Sequence, residues 1–126
     1  MQLGMIGLGR MGANMARRLM RAGHSCVGYD VHADAVRALA AEGATPAFTL
    51  EELVAKLAPP RALWLMVPVA HVEETVAALR PLLTRGDVLV DGGNSHYPDD
   101  IRRAALVAAD GLHWIDAGTS GGVWGL

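Results

Sequence analysis

The hexapeptide Gly7-Leu8-Gly9-Arg10-Met11-Gly12 constrains this chain more than any other feature. An apolar run from Met1 to Ile6 precedes it, broken only by Gln2 and Gly4. A stretch with helical spacing, Met11, Met15, Leu19 and Ala22, follows it. Asp30 stands 23 positions after Gly7, at the end of a second apolar run. Strand, glycine turn, helix, strand and terminal acid in this order mark a dinucleotide-binding βαβ unit.

Each glycine has its own task. Gly7 permits the tight turn out of the strand. Gly9 lets main chain approach a diphosphate that any Cβ would strike, and Gly12 lets the helix pack closely on the sheet. The segment Gly7, Leu8, Gly9, Arg10, Met11 and Gly12 is therefore the candidate cofactor site. The side chains of Met11 and Met15 read as helix-core contacts. Asp30 would accept hydrogen bonds from the adenosine ribose, where a 2′-phosphate would meet a like charge. A competing reading has Asp30 only capping the turn before the next helix. No Lys or Arg follows until Arg37, so NAD is expected over NADP.

The remaining pattern repeats strand and helix. Strands are expected at 2–7, 25–30, 44–47, 61–67, 87–91 and 112–116. Helices are expected at 10–22 and 33–42, from Thr49, around Val72, Val76 and Leu79, and at 98–109. Glu51 and Glu52 stand in the first turn after Thr49, where the helix dipole favours acids. The run Ala62-Leu63-Trp64-Leu65-Met66-Val67 suits a parallel strand buried on both faces. The fold class is α/β, a doubly wound, mostly parallel sheet of the Rossmann type.

Strand ends carry the other candidates. Met66, Val67 and Pro68 would wall the cofactor. His71 reads as a helix-start or solvent-side histidine. Asp91-Gly92-Gly93-Asn94-Ser95 forms a small-residue loop in which Asn94 offers both a donor and an acceptor. Asp116-Ala117-Gly118-Thr119-Ser120-Gly121-Gly122 repeats that logic, its main-chain N–H groups suited to an anion. Ser120 lacks the partners of a nucleophile elbow. The one lysine, Lys56, reads as a solvated surface residue, and no general base is evident.

Composition excludes several classes. Apolar residues make up 52% and charged ones 19%, which argues against disorder. A net charge of −2 without a basic stripe argues against nucleic acid. No apolar stretch is long enough for a membrane span, and Met1 to Leu8 is not a signal peptide, so a cytoplasmic protein is expected. The lone Cys26 excludes an intrachain disulfide and reads as a core residue. The ending Ser120-Gly121-Gly122-Val123-Trp124-Gly125-Leu126 leaves a large aromatic without a domain to bury it, so the sequence reads as part of a longer protein.

Gly7 to Met15, Asp91 to Ser95 and Ser120 to Gly122, in that order, resemble the N-terminal domain of decarboxylating 6-phosphogluconate dehydrogenases. The resemblance covers the whole chain. It implies residues 1–126 as a partial dinucleotide-binding domain, with a helical C-terminal domain absent. It implies oxidation of 6-phosphogluconate at C3, loss of carbon dioxide and protonation of an enediol to ribulose 5-phosphate. It also implies that Asn94 contacts substrate beside the nicotinamide, and that Ser120, Gly121 and Gly122 hold the substrate carboxylate end. The base lysine, the acid glutamate and the phosphate grip would lie beyond Leu126, and the full-length protein would be a homo-oligomer. Tyr29-Asp30-Val31-His32 replaces the Asn-Arg-Thr of NADP-dependent members. Pro68 replaces a common lysine, and Thr119 to Gly125 departs from a more acidic continuation. These departures resemble a shorter, bacterial-type, NAD-preferring branch. The alternatives are a 3-hydroxyisobutyrate or related β-hydroxyacid dehydrogenase and a non-catalytic NAD-binding regulatory domain.

Overall fold

The computed structural model describes residues 1–93 and 97–117. In chain order the elements are β1 (Gln2–Ile6), α1 (Arg10–Arg21), β2 (Ser25–Tyr29), α2 (Ala33–Ala41), β3 (Thr45–Ala47) and α3 (Leu50–Ala55). Then follow β4 (Ala62–Leu65), α4 (Val69–Leu79), β5 (Val88–Asp91), α5 (Tyr97–Ala108) and β6 (His113–Asp116). The strands form one six-stranded sheet in the order β3-β2-β1-β4-β5-β6, and every pairing is parallel. The sequence pattern anticipated each of these elements, with ends moved by one or two residues. The largest of these shifts is at strand β4, which ends at Leu65 rather than Val67.

Helix boundaries follow local chemistry. Gly23, at φ +93°, takes the left-handed turn that stops α1. The Thr49 hydroxyl accepts the Glu52 N–H at 3.0 Å and caps α3.

Parallel crossovers cover both faces of the sheet, so two apolar layers form. Leu3, Met5, Cys26, Ala16, Val36 and Leu39 pack α1 and α2 on one face. Ile6, Leu65, Leu89, Leu53, Val72 and Val76 pack α3 and α4 on the other, with Val107 of α5 joining them. Each fully buried Leu or Val in these layers contributes about 1.5–3 kcal/mol by leaving water. Strand β4 is wholly buried on one face only. Leu63 and Leu65 are shut in, whereas Trp64 and Ala62 are half-buried.

The topology sets where a site can lie. The order reverses between β1 and β4, the point at which such sheets open a crevice beyond the strands' carboxyl ends. Backbone bonding continues one residue past each strand there. Gly7 N–H donates to Tyr29 O at 2.9 Å, Met66 N–H to Ile6 O at 2.7 Å and Gly92 N–H to Leu65 O at 3.0 Å. Ala117 N–H donates to Asp91 O at 3.0 Å. The carboxyl ends of β2, β1, β4 and β5 are thereby tied into one floor.

Candidate functional site

A cleft of about 930 Å³ opens on that floor. Ligand clefts commonly enclose about 300–1,000 Å³. Gly7, Gly9, Arg10, Met11 and Gly12 line it from the first crossover, and Tyr29, Asp30, Val31 and His32 from the end of β2. Met66, Val67 and Pro68 line it after β4, and Gly92 and Gly93 after β5. Asn94, Ser120, Gly121 and Gly122 lie outside the described residues.

The glycine turn explains its own sequence. Gly7 has φ +96°, and a Cβ there would press on the Met66 carbonyl. A Cβ on Gly12 would collide with the Gly7 carbonyl oxygen, so helix and turn touch through bare backbone. Gly9 is different. It has ordinary negative φ, and a Cβ built on it meets nothing within 4 Å. No demand of the protein itself keeps that position bare. The space beside it faces the cleft.

Gly9 is also the N-cap of α1 and supplies no side-chain cap, and the first turn carries no acid. The first ladder bond runs from Ala13 N–H to Gly9 O at 2.9 Å. The amides of Arg10, Met11 and Gly12 therefore precede the helical ladder, with the positive end of the dipole behind them. Such a helix start suits an anion, and diphosphate is the anion a bare glycine approach fits.

Leu8 departs from its neighbours. Its side chain is buried in the core, against the position a Cβ of Gly28 would take, and its N–H donates to Asp30 Oδ2 at 2.7 Å. Leu8 thus shapes the turn without lining the cleft. Met11 lines the cleft, contrary to its reading as a helix-core contact, while Met15 packs against the core.

Asp30 lines the cleft at the end of β2. Its Oδ1 accepts the His32 N–H at 2.8 Å and faces His32 Nδ1 at 3.0 Å. Burial pushes its carboxyl up, but the N–H groups of Leu8 and His32 and the His32 ring outweigh that. The carboxyl is held below the usual carboxylate range. Asp30 is therefore ionised at neutral pH. It holds the turn before α2, as the capping alternative required, and it also lines the cleft. Beside it, burial pushes the Tyr29 phenol up, which keeps it protonated.

One wall was not expected from sequence. His71, Glu74, Thr75 and Ala78 fall on one face of α4 and line the cleft opposite the glycine turn. His71 Nδ1 lies 2.6 Å from Glu74 Oε1, and the Thr75 hydroxyl donates to His71 O at 2.7 Å. Their spacing of three and four was visible, but it marks a polar helix face without saying what the face overlooks.

The loop after β5 is pressed on β4. A Cβ on Gly92 would strike the Met66 sulfur and approach the Trp64 ring, and Gly93 N–H donates to Asp91 Oδ1 at 3.0 Å. Lys56 is far from this end. Its ammonium donates to Pro46 O at 2.6 Å and pairs with Glu52 at 3.2 Å. Cys26 is buried at 1% exposure, with its thiol pushed up by that burial.

A parallel β3-β2-β1-β4-β5-β6 sheet with a bare glycine turn and a terminal acid on β2 defines a dinucleotide-binding domain of the Rossmann type. The chain belongs to the family described as the NAD binding domain of 6-phosphogluconate dehydrogenase, whose model matches residues 2–126. Over 123 residues it is 47% identical to the NAD(+)-dependent, decarboxylating 6-phosphogluconate dehydrogenase of Haloferax volcanii, covering 97% of this chain and 40% of that protein. Among solved structures it is similar to 3-hydroxyisobutyrate dehydrogenase of Mycobacterium tuberculosis. The TM-score is 0.82 at 25% identity, over 91% of this chain and 39% of that one. The 6-phosphogluconate dehydrogenase of Plasmodium falciparum shares the fold at TM-score 0.83 and 24% identity, over 90% and 26%. In each case the chain spans two-fifths or less of the matched protein. Among the described residues, no helix is long and apolar enough to cross a membrane.

Proposed function

We propose that this chain is the cofactor-binding part of an NAD-linked, cytoplasmic 6-phosphogluconate dehydrogenase. The observation that carries the reading is the pairing of an open Gly9 at an uncapped helix start with an ionised Asp30 in the same cleft. NAD, when bound, supplies the hydride acceptor. The amides at the start of α1 hold its diphosphate, and Asp30 accepts from the adenosine ribose. A 2′-phosphate would bring a second anion against Asp30, with Val31 and His32 beside it in place of arginine. The Haloferax relative, itself named NAD(+)-dependent, supports that preference.

The substrate is a phosphorylated sugar acid. Asn94 contacts it beside the nicotinamide, and Ser120, Gly121 and Gly122 take its carboxylate end. The Asp91 bond to Gly93 N–H fixes the stem of the first of these loops. Lysine and glutamate from a helix beyond Leu126 act as base and acid, and a helical C-terminal domain in a homo-oligomer completes the phosphate grip. Residues 1–126 by themselves bind NAD weakly and do not turn over substrate.

The test is kcat/KM of the full-length protein with 6-phosphogluconate and 3-hydroxyisobutyrate, each with NAD and NADP. Turnover of 6-phosphogluconate with NAD preferred is expected. A preference for 3-hydroxyisobutyrate would establish the second reading, which the Mycobacterium tuberculosis neighbour favours. Asp30→Ser should lower the NAD to NADP ratio of kcat/KM at least tenfold, since a close like charge is removed. An unchanged ratio would remove Asp30 from cofactor choice.

A further inference from the structure

Asp30 has more bonds than a ribose acceptor needs. Its side chain is only 12% exposed, and both oxygens are engaged before any ligand arrives. Oδ1 takes the His32 N–H and faces the His32 ring nitrogen Nδ1 at 3.0 Å. Oδ2 takes the Leu8 N–H at 2.7 Å, across 22 residues of sequence and from one strand-end loop to another. Oδ2 keeps a second lone pair for a sugar hydroxyl.

The Leu8 bond matters because of what Leu8 connects. Its side chain is anchored in the core at 6% exposure, and its chain neighbours are the two glycines of the turn. Gly7 is fixed by its N–H bond to Tyr29 O. Gly9, one residue further, has no side chain and open space around it. The charged acceptor at Leu8 is the one side-chain bond, among the described residues, that fixes the middle of this turn.

We propose that Asp30 is a positioning residue for the phosphate loop: by holding the Leu8 N–H it sets the Gly7–Gly12 turn in its diphosphate-binding shape in the free protein. The inference rests on the NAD reading above and adds a second role at the same carboxylate. Removing Asp30 therefore weakens binding of the diphosphate itself, whether or not the ligand carries ribose hydroxyls. Ordering a loop in advance raises affinity by lowering what binding must order.

The test compares ADP with 2′,3′-dideoxyadenosine diphosphate, which lacks both ribose hydroxyls, by calorimetry on the whole chain. The proteins are wild type, Asp30→Ala and Asp30→Asn. Loss of a charged hydrogen bond predicts about a tenfold or greater fall in dideoxy-nucleotide affinity for Asp30→Ala. Asp30→Asn should recover most of it, because a carboxamide oxygen still accepts the Leu8 N–H. Without nucleotide, the Leu8 amide should exchange its hydrogen at least about tenfold faster in Asp30→Ala than in wild type or Asp30→Asn. Should Asp30→Ala fail to fold, Asp30→Ser repeats its prediction, its hydroxyl being too short to span to Leu8. Wild-type dideoxy-nucleotide affinity in the Ala or Ser variant, with only ADP weakened, overturns the positioning role and leaves the NAD reading standing. Wild type binding neither nucleotide overturns both.

Discussion

Gly9 and Gly12 sit three residues apart in one motif, yet the structure gives them opposite reasons to be glycine. At Gly12 a Cβ would run into the Gly7 carbonyl oxygen, which is backbone and cannot swing aside. At Gly9 the same methyl group would meet only space. Gly9→Ala should therefore change stability by no more than about 0.5 kcal/mol, as unstrained surface substitutions do. On the proposed reading it should cost most of the NADH affinity, since the methyl would stand where a diphosphate approaches. Gly12→Ala should destabilise by about 3 kcal/mol or more, through overpacking that forces a backbone shift. Urea unfolding read beside NADH fluorescence titration separates the two. A Gly9→Ala variant that binds NADH as wild type does would place the diphosphate elsewhere. Asp30 adds a pH statement at this scale. Its carboxyl is held below its ordinary value of 3.8, so its contribution is present above that value and is lost as pH falls through the lower folded value. On the proposed reading, the cofactor preference that Asp30 would set should accordingly be flat across the neutral range.

Helix α1 carries the proposal at the scale of an element. It begins without a capping side chain and without an acid in its first turn, although basic Arg18 and Arg21 complement its far end. An acid near the start would favour the helix by about 0.3–1 kcal/mol through the dipole. It would also occupy the field that an anionic ligand uses. Arg10→Glu, at the exposed first helical position, should raise or hold thermal stability while lowering NADH affinity about tenfold. Parallel gains in both would show that the helix start is not where the phosphates bind. This element was the most legible part of the sequence. Glycine spacing fixed its start, Gly23 its end, and the acid at position 30 named the crossover. Helix α4 was the least legible. Val72, Val76 and Leu79 announced its buried side, and they are buried. The adjoining face with His71, Glu74, Thr75 and Ala78 looked like an ordinary solvated face. Only the strand order, which sets β4 beside β1, brings that face over the cleft. The Met11 side chain was placed in the helix core for a related reason, although its position in the glycine turn had put it at the candidate cofactor site: helical spacing reports a stripe but not where the stripe ends at a cleft.

At the scale of the whole molecule the sheet divides its work between its two ends. The carboxyl ends carry small residues, open backbone and the cleft. The amino ends of β4 and β5 carry an ion pair between Arg61 and Asp87. Asp87 is fully buried and accepts from Arg61 N–H at 2.6 Å, Thr84 N–H at 2.9 Å and the Arg61 guanidinium at 3.1 Å. Arg61 Nε donates to Val54 O at 3.0 Å and so ties α3 to the same point. Burial alone would raise the Asp87 carboxyl, but these bonds and the Arg61 charge hold it below 3.8. Its stabilisation is then complete above that value and disappears as pH falls through the lower folded value. Asp87→Asn should cost about 3–5 kcal/mol at pH 7, because it leaves a nearly buried guanidinium without its counter-charge. The difference from wild type should shrink as pH falls below the ordinary value of 3.8, where the unfolded wild-type chain takes up a proton at Asp87 that the folded state resists. Urea unfolding of both proteins at pH 7, 5, 4 and 3 reads this directly. A gap that stays constant down to pH 3 would mean that Asp87 acts through shape and neutral hydrogen bonds, not charge. Because the pair stands at the end of the sheet away from the cleft, NADH affinity of the folded variant at pH 7 should match wild type. Rigidity would then be supplied at one end of the strands, and the loops at the other end left to bind.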